Sequence, residues 1–269
     1  MTGLACGLAT GLLVAVGAPS YAEVDPGTEP VPVPDRDLLL TFDAVDDTGL
    51  PLLDALGTPD VVGAVSSVPG GVVTAGPDRS ASGHSLRMAG FVPDQPAAPA
   101  VLVVRPVAGA ADRTDPGVEN FTFGADFLLD SLSGVSSTDN GDNLVQRGLV
   151  GPNAQYKIQL DGGYPLCRVR GSEGAVAVRA TEPVPAEQWN RVRCRRVGER
   201  VILRVVTVVD SLRQVREYVK TGPTGSVSYP DGQFPFAIGG KVDQAGDVLA
   251  DDSDQFNGLV DDVVFRHLD

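Results

Sequence analysis

The sequence predicts an all-β chain folded as two packed antiparallel sheets, and three observations predict it. Glycine (32) and proline (21) recur throughout and cut the chain into short segments. Those segments are rich in β-branched residues and often alternate apolar with polar, the period of a strand with one wet face. No segment holds an apolar period of 3.6 residues over three helical turns, although "LPLLDALG" (50–57) has the makings of one short helix. So many strands cannot bury their apolar faces in one layer, and two sheets are required.

The elements follow in chain order. Residues 1–22, "MTGLACGLATGLLVAVGAPSYA", carry no charged side chain, contain an apolar run from Leu8 to Val16 and end in Ser20-Tyr21-Ala22. That is the pattern of a secretory signal peptide with a small-x-small cleavage site. The run is short of the ~20 apolar residues that a membrane span needs, so stable membrane insertion is not expected. Residues 23–36, "EVDPGTEPVPVPDR", are rich in proline and acid without apolar period and read as an extended linker. One domain is expected over 37–269, a length ordinary for a β-sandwich.

Within that domain the candidate strands are 38–42, 84–89, 100–105, 120–129, 143–150, 155–160, 165–170, 176–180, 189–196, 201–209, 214–219 and 235–240, with a last one in "FNGLVDDVVF" (256–265). In "NFTFGADFLL" (120–129), Phe121, Phe123, Ala125 and Phe127 share one face. "VILRVVTVV" (201–209) alternates less cleanly and reads as a strand buried on both faces. Asp161-Gly162-Gly163 marks a hairpin turn between two strands.

The formal charge of −14 falls wholly beyond the leader. Such a surface repels nucleic acid and anionic membranes, so neither is an expected partner. Cys6 leaves with the leader, and Cys167 and Cys194 remain as an even pair in an exported chain, which predicts a disulfide. Zinc is excluded by spacing, because His84 and His267 form no H-x-x-H and the cysteines no C-x-x-C.

Taken in order, "LLLTFD", "GHSLRM", "NFTFGADFLL", "NLVQRGL", "QYKIQL", "PLCRVRG", "WNRVRCRRVGERVILRV", "FAIGG" and "FNGLVDDVVF" resemble the laminin G-like, concanavalin A-like jelly-roll domains of secreted bacterial proteins. The resemblance spans about residues 37–269, and its sharpest element is the closing F-x-G-x-x-D-D-V-x-F. It implies two curved antiparallel sheets with the first and last strands adjacent, and a core position for Trp189. It also implies a function among lectins, adhesion modules and glycoside hydrolases.

The closing strand poses a local problem. Phe256, Gly258 and Val260 share one phase while Val263 and Phe265 share the other, so a bulge is expected at Asp261-Asp262. The resemblance places this strand beside Asp43 and near the Gly83-His84-Ser85 turn. Carboxylates plus backbone carbonyls form an oxygen-only cage suited to Ca²⁺. A structural Ca²⁺ is therefore expected between Asp43 and Asp261, with a carbonyl at Gly83 and with Asp262 as substitute if the phase falls the other way. The competing reading has these aspartates capping backbone N–H groups or facing solvent at a sheet rim.

Catalytic patterns are thin. Glycosidases need two carboxylates held roughly 5 to 9.5 Å apart, and the E-x-D-x-x-E arrangement of glucanases on this scaffold is missing from the sequence. No G-x-S-x-G elbow accompanies His84 or His267, which read as ordinary surface residues. "GGKV" (239–242) is a turn and not a phosphate loop. Candidates for stacking on a sugar are limited to Tyr164, Tyr218 and Tyr229, near expected strand ends or loops, where they can line a concave face; a structural role for each is the favoured reading. Asp139 and Asp142 in "DNGDN", and Asp251, Asp252 and Asp254 in "DDSDQ", read as solvated turns, with a second Ca²⁺ as the alternative.

The expectation is thus a secreted, non-catalytic module that binds an extracellular glycan or protein, stabilised by one disulfide and a structural Ca²⁺. The alternatives are a hydrolase or lyase using an unfamiliar pair of acids and a purely structural wall-associated module.

Overall fold

The computed structural model describes residues 37–89, 98–132, 142–151, 154–209, 212–229, 232–250 and 254–269. The expected leader and linker, and Asp139, Asp251 and Asp252, lie outside the described residues. The described residues form strands β1 (Leu38–Leu40), β2 (Val61–Ser67), β3 (Thr74–Pro77), β4 (His84–Arg87), β5 (Ala100–Pro106), β6 (Asn120–Leu129), β7 (Asp142–Arg147) and β8 (Gln155–Asp161). They continue with β9 (Tyr164–Gly171), β10 (Gly174–Arg179), β11 (Trp189–Val197), β12 (Arg200–Val209), β13 (Leu212–Thr221), β14 (Phe236–Ile238) and β15 (Gly258–Leu268). Among the described residues no helix is long and apolar enough to cross a membrane.

Two antiparallel sheets result. One has eight strands in the order β13-β12-β11-β6-β15-β4-β3, with β1 also paired to β15, and the other has seven in the order β10-β9-β8-β7-β14-β5-β2. The core lies between them. Phe121, Phe123 and Phe265 from the first sheet meet Tyr156 from the second, and Tyr156 packs in turn on Phe236, with ring centroids 4.7 to 6.2 Å apart. Cys167 on β9 and Cys194 on β11 are bonded across this core, so the disulfide ties one sheet to the other.

Alternation decides which face each residue takes. On β6 the phenylalanines predicted to share a face are all buried, and Thr122 and Asp126 take the opposite phase. The β8–β9 hairpin turns through Gly162 and Gly163, both at positive φ, where glycine carries no steric penalty. On β12, Val201, Leu203 and Val205 face the core, and Ile202 and Val206 are also sheltered, but Arg204 emerges half-exposed. The two-faced burial read from the sequence is therefore interrupted at Arg204.

Three further differences are physical. Residues 50–57 do not form a helix, because Pro51 pairs with Val45 and the Leu52 and Gly63 amides donate to Ala44 and Leu53 carbonyls outside any helical ladder. β2 and β3 carry too little apolar alternation to register as strands, and each lies at the edge of its sheet. β13 extends beyond 214–219 because its backbone pairs with β12 along ten residues although its side chains are largely exposed.

Candidate functional site

The aspartate pair sits at an irregularity of β15. Asp261 faces Asp126 across the β6 pairing and Val264 faces Gly124, so one extra residue is accommodated between them. Asp262 takes a left-handed backbone conformation there, with φ of 46°. The shift moves the inward phase from Val260 to Val263 and Phe265, all buried, as the two phases in the sequence require. The other edge of β15 changes partner at the same point, from β4 at Leu259 and Val260 to β1 at Val263–Phe265.

That gap receives the other two chain segments. The His84 amide donates to Asp43 Oδ1 at 3.1 Å. A Cβ on Gly83 would lie 2.3 Å from Asp43 Oδ1 and 2.9 Å from Asp78 Oδ2, so only glycine lets the turn approach. Burial, and then the charges of Asp262, Asp43 and Asp126, push the Asp261 carboxyl up to about 7, against a hydrogen bond from the Asp262 amide. Asp262 is raised as well, by burial first and then by Asp126. Asp126 itself is ion-paired: Arg191 grips it with Nε and Nη2 at 2.6 and 2.7 Å, and Arg193 adds a third bond at 3.0 Å.

Asp43 and the Gly83 turn therefore meet, and the charge of Asp43 reaches Asp261 and Asp262. Among the described residues no three His, Cys, Asp or Glu side chains converge into a metal cage. Asp126, Arg191, Arg193 and Asp78 were not singled out from the sequence. The alternation of "NFTFGADFLL" places Asp126 on a wet face, but only the β6–β15 pairing sets it opposite Asp261.

The outer face of the seven-stranded sheet is a second polar site. Cys167 and Val169 face the core, so Tyr164, Leu166, Arg168 and Arg170 point the other way. Across the register Arg170 faces Gln155, Arg168 faces Lys157, and Leu166 faces Gln159. Lys157 in turn faces Gln146, and Gln159 faces Asn143. Val242 and Val248 from the following loop cover the β14–β5 half of this face, packing on Val101, Val103 and Ala237. Leu166, Arg168, Arg170 and Ala177 on the β9–β10 half stay partly exposed.

This floor is under-satisfied. The side-chain oxygens of Asn143, Gln146, Gln155 and Gln159 and the Nε of Arg168 are buried without a hydrogen-bond partner. Gln146 and Gln155 are only 2% and 1% exposed, and both donate their amide N–H to the Gly148 carbonyl. Lys157 is 9% exposed, and no carboxylate among the described residues lies in ion-pair reach of it. Burial lowers its pKa, the like charge of Lys241 adds to the effect, and the charges of Asp254 and Asp161 oppose it. The carboxylates nearby are engaged: Asp254 with Lys241 at 2.7 Å, and Asp161 with the Gln159 amide at 2.7 Å and Arg179 at 3.8 Å.

The three tyrosines fare differently. Tyr164 lies at the end of this face opposite Asp161, with the Arg179 guanidinium 5.2 Å from its ring centre. Tyr218 packs partly buried against the core. Tyr229 is 4% exposed, donates to the Arg147 carbonyl and lies under the Arg147 guanidinium, so its ring offers no face for stacking and it is a core residue. Trp189 is half-buried at the start of β11. Asp142 is buried and accepts a hydrogen bond from Asn257, while His267 bonds Glu119, so neither behaves as a solvated surface group.

The Laminin G domain model matches residues 144–268. No curated protein sequence matches the chain. Among solved structures the chain is similar to domain 4 of an extracellular arabinanase from Geobacillus stearothermophilus, solved in complex with arabinotriose. The identity is 14%, covering 87% of this chain and 95% of that one, with a TM-score of 0.54. It is also similar to the binding domain of Paraclostridial Mosquitocidal Protein 1, at 12% identity over 87% of this chain and 50% of that one, with a TM-score of 0.53. It spans 28% of the LG1–3 region of the laminin alpha2 chain, at 12% identity over 61% of this chain and a TM-score of 0.43.

Proposed function

We propose that the chain, which carries a laminin G-like, concanavalin A-like jelly-roll domain, is an exported, non-catalytic module that binds an extracellular glycan on the outer face of its seven-stranded sheet. The observation that carries this reading is the set of buried amide oxygens on Asn143, Gln146, Gln155 and Gln159 that accept no hydrogen bond. Buried acceptors left without donors cost roughly 1–3 kcal/mol each, so the face has an unmet demand for O–H groups. A glycan supplies hydroxyls in quantity, and Tyr164 at the end of the face supplies an aromatic ring for a sugar to rest on. Asp161 and Asp254 are tied to cationic partners, which suits binding better than acid–base work. The arabinotriose complex of the structurally similar arabinanase domain supports a glycan on this scaffold.

Export rests on the leader pattern in residues 1–22 and agrees with the inter-sheet disulfide. A structural Ca²⁺ belongs to the same proposal, held by Asp43, Asp261 and a backbone carbonyl at the Gly83 turn, with Asp262 in reserve. The donors are all oxygen and hard, as Ca²⁺ requires. The raised carboxyls of Asp261 and Asp262 mark an excess of negative charge that a cation relieves. With fewer than three converging acidic side chains, carbonyls and water complete the shell.

The test is a glycan panel probed with the exported protein in millimolar Ca²⁺ and again in EDTA. Binding is expected, weakened about tenfold in Gln159→Leu, the loss of one hydrogen bond to a hydroxyl. An empty panel in both buffers refutes the glycan reading and directs the search to protein partners.

A further inference from the structure

We infer that two copies of this chain join edge to edge along β13, antiparallel about a twofold axis at Val215. The inference is independent of what the outer face of the other sheet binds. β13 ends the eight-stranded sheet, and all ten of its residues pair with β12 on one side. β10 of the opposite sheet packs beneath β12 and β13, so among the described residues no strand lies along the outer edge of β13.

That edge offers a regular row of backbone groups. The Gly222 amide donates to the Glu199 carbonyl at 3.0 Å, one step beyond the pairing of Thr221 with Arg200. Hydrogen-bonded pairs alternate along an antiparallel ladder, and the register here runs without a shift, so the even-numbered residues of β13 bond β12. The N–H and C=O groups of Arg213, Val215, Glu217, Val219 and Thr221 therefore point off the sheet. Such a row is a template for another strand, and β13 has neither a proline nor a bulge to blunt it. On the outward face Val215 and Val219 are 45% and 49% exposed, and they continue an apolar strip over Val206 and Ile202 of β12.

What guards this edge is charge, in Arg213, Arg216, Glu217 and Lys220. Charges on an edge repel an indifferent strand and select a complementary one. Arg216 is engaged by Glu182 at 2.8 Å, whereas Glu217 has only Arg204, 3.7 Å away across two half-exposed side chains. With the axis at Val215, that residue meets its own copy, Arg213 meets Glu217 of the second copy, and Glu217 meets Arg213 of the second copy. On the other face of the strand Leu212 meets Tyr218, and Gln214 meets Arg216. Axes at Arg213, Arg216, Glu217 or Lys220 oppose a charge to itself, and one at Tyr218 opposes Arg216 to Lys220. Axes at Gln214 or Val219 leave Arg213 and Glu217 without opposite charges, and axes at the strand ends pair too few residues. Val215 is thus the register in which apolar meets apolar and each outward charge meets its opposite. The axis is normal to the joined sheet, so both copies present the outer faces of their seven-stranded sheets in one direction.

The experiment is sedimentation equilibrium of the exported protein. A contact of one strand edge lies at the small end of specific interfaces, so a dimer with Kd on the order of 10 µM is expected, and loading at about 1 to 300 µM brackets it. Val215→Pro removes the outward N–H at the axis without breaking a bond to β12, and two such bonds lost per dimer weaken association about thirtyfold. Glu217→Arg turns both contacts with Arg213 from attraction to repulsion and weakens association about tenfold. Adding Arg213→Glu to Glu217→Arg exchanges the charges and restores the parental Kd to within about threefold. Melting curves check that each variant folds, and the charge exchange carries the test should Val215→Pro fail to fold.

A monomer at every concentration overturns the inference. A dimer whose Kd is unchanged in Val215→Pro and Glu217→Arg overturns it too, since the contact then lies elsewhere on the molecule. Weakening by Glu217→Arg that the double variant does not restore overturns the register at Val215.

Discussion

Replacing both Cys167 and Cys194 by alanine tests how the two sheets are held in register. The bond closes a loop with a sequence separation of 27, and in the chain-entropy account such a loop is worth about 3.5 kcal/mol through restriction of the unfolded chain. Both residues are fully buried, Cys167 on the seven-stranded sheet and Cys194 on the eight-stranded one. The loop it closes contains β10 and the segment leading into Trp189, so the freed unfolded chain regains conformations along one continuous stretch. For a domain of this size each kcal/mol moves Tm by roughly 2–4 °C, so a fall of about 7–14 °C is expected. Urea melts of the oxidised protein and the double variant, monitored by far-UV dichroism, give the difference directly. The fitted m should rise in the variant, because an uncrosslinked chain exposes more surface on unfolding. A difference below about 1 kcal/mol refutes the reasoning, since a loop of that length then carries no entropic weight in this chain.

Two further outcomes follow from the same structure. Millimolar Ca²⁺ is expected to raise Tm over EDTA, by the equivalent of about 2.7 kcal/mol at a hundredfold excess over Kd, and Asp43→Asn should abolish most of that increment; identical melts in both buffers refute the calcium site. At the far end of the sheet, Arg147 is 1% exposed and donates to Asp112, to the Thr114 hydroxyl and to the Phe234 carbonyl. Burial works to raise the Asp112 carboxyl, but Arg147 and the Thr114 bonds outweigh it and hold the group below its ordinary value. A depressed carboxyl contributes stability above the unfolded pKa of 3.8 and loses it as pH falls through the folded value. Asp112→Asn should therefore cost about 3 kcal/mol at pH 7, by leaving Arg147 buried without its counter-charge, and should lose less than the parent between pH 4 and pH 2. Parallel acid limbs in the urea midpoints of the two proteins refute that assignment.

Parts of the candidate sites were legible before any tertiary contact was known. Gln155, Lys157 and Gln159 alternate along β8, Arg168 and Arg170 alternate along β9, and the Gly162-Gly163 turn joins the two strands. A two-residue turn sets the register, so these polar groups had to share one face. The phase switch in "FNGLVDDVVF" likewise announced the irregularity at Asp261-Asp262. Tyr229 stands among the sugar-stacking candidates because neither its neighbours Ser228 and Pro230 nor its loop position reveals that Arg147, 82 residues away, closes over it.

By itself the sequence determined all the strands but β2 and β3, the inward and outward phase of most of them, the cross-linked cysteine pair and the local break in β15. Each depends on contacts a few residues apart or on a count of residue types. Only the tertiary structure decided that Asp126 faces Asp261 while two arginines hold it. The same holds for Asn143 and Gln146 extending the polar floor from β7, and for Val242 and Val248 covering one half of that floor. The reason is physical. Alternation states which side of a sheet a residue occupies, whereas the neighbours on that side come from strands up to a hundred residues distant, and their pairing is fixed by the packing of the whole core.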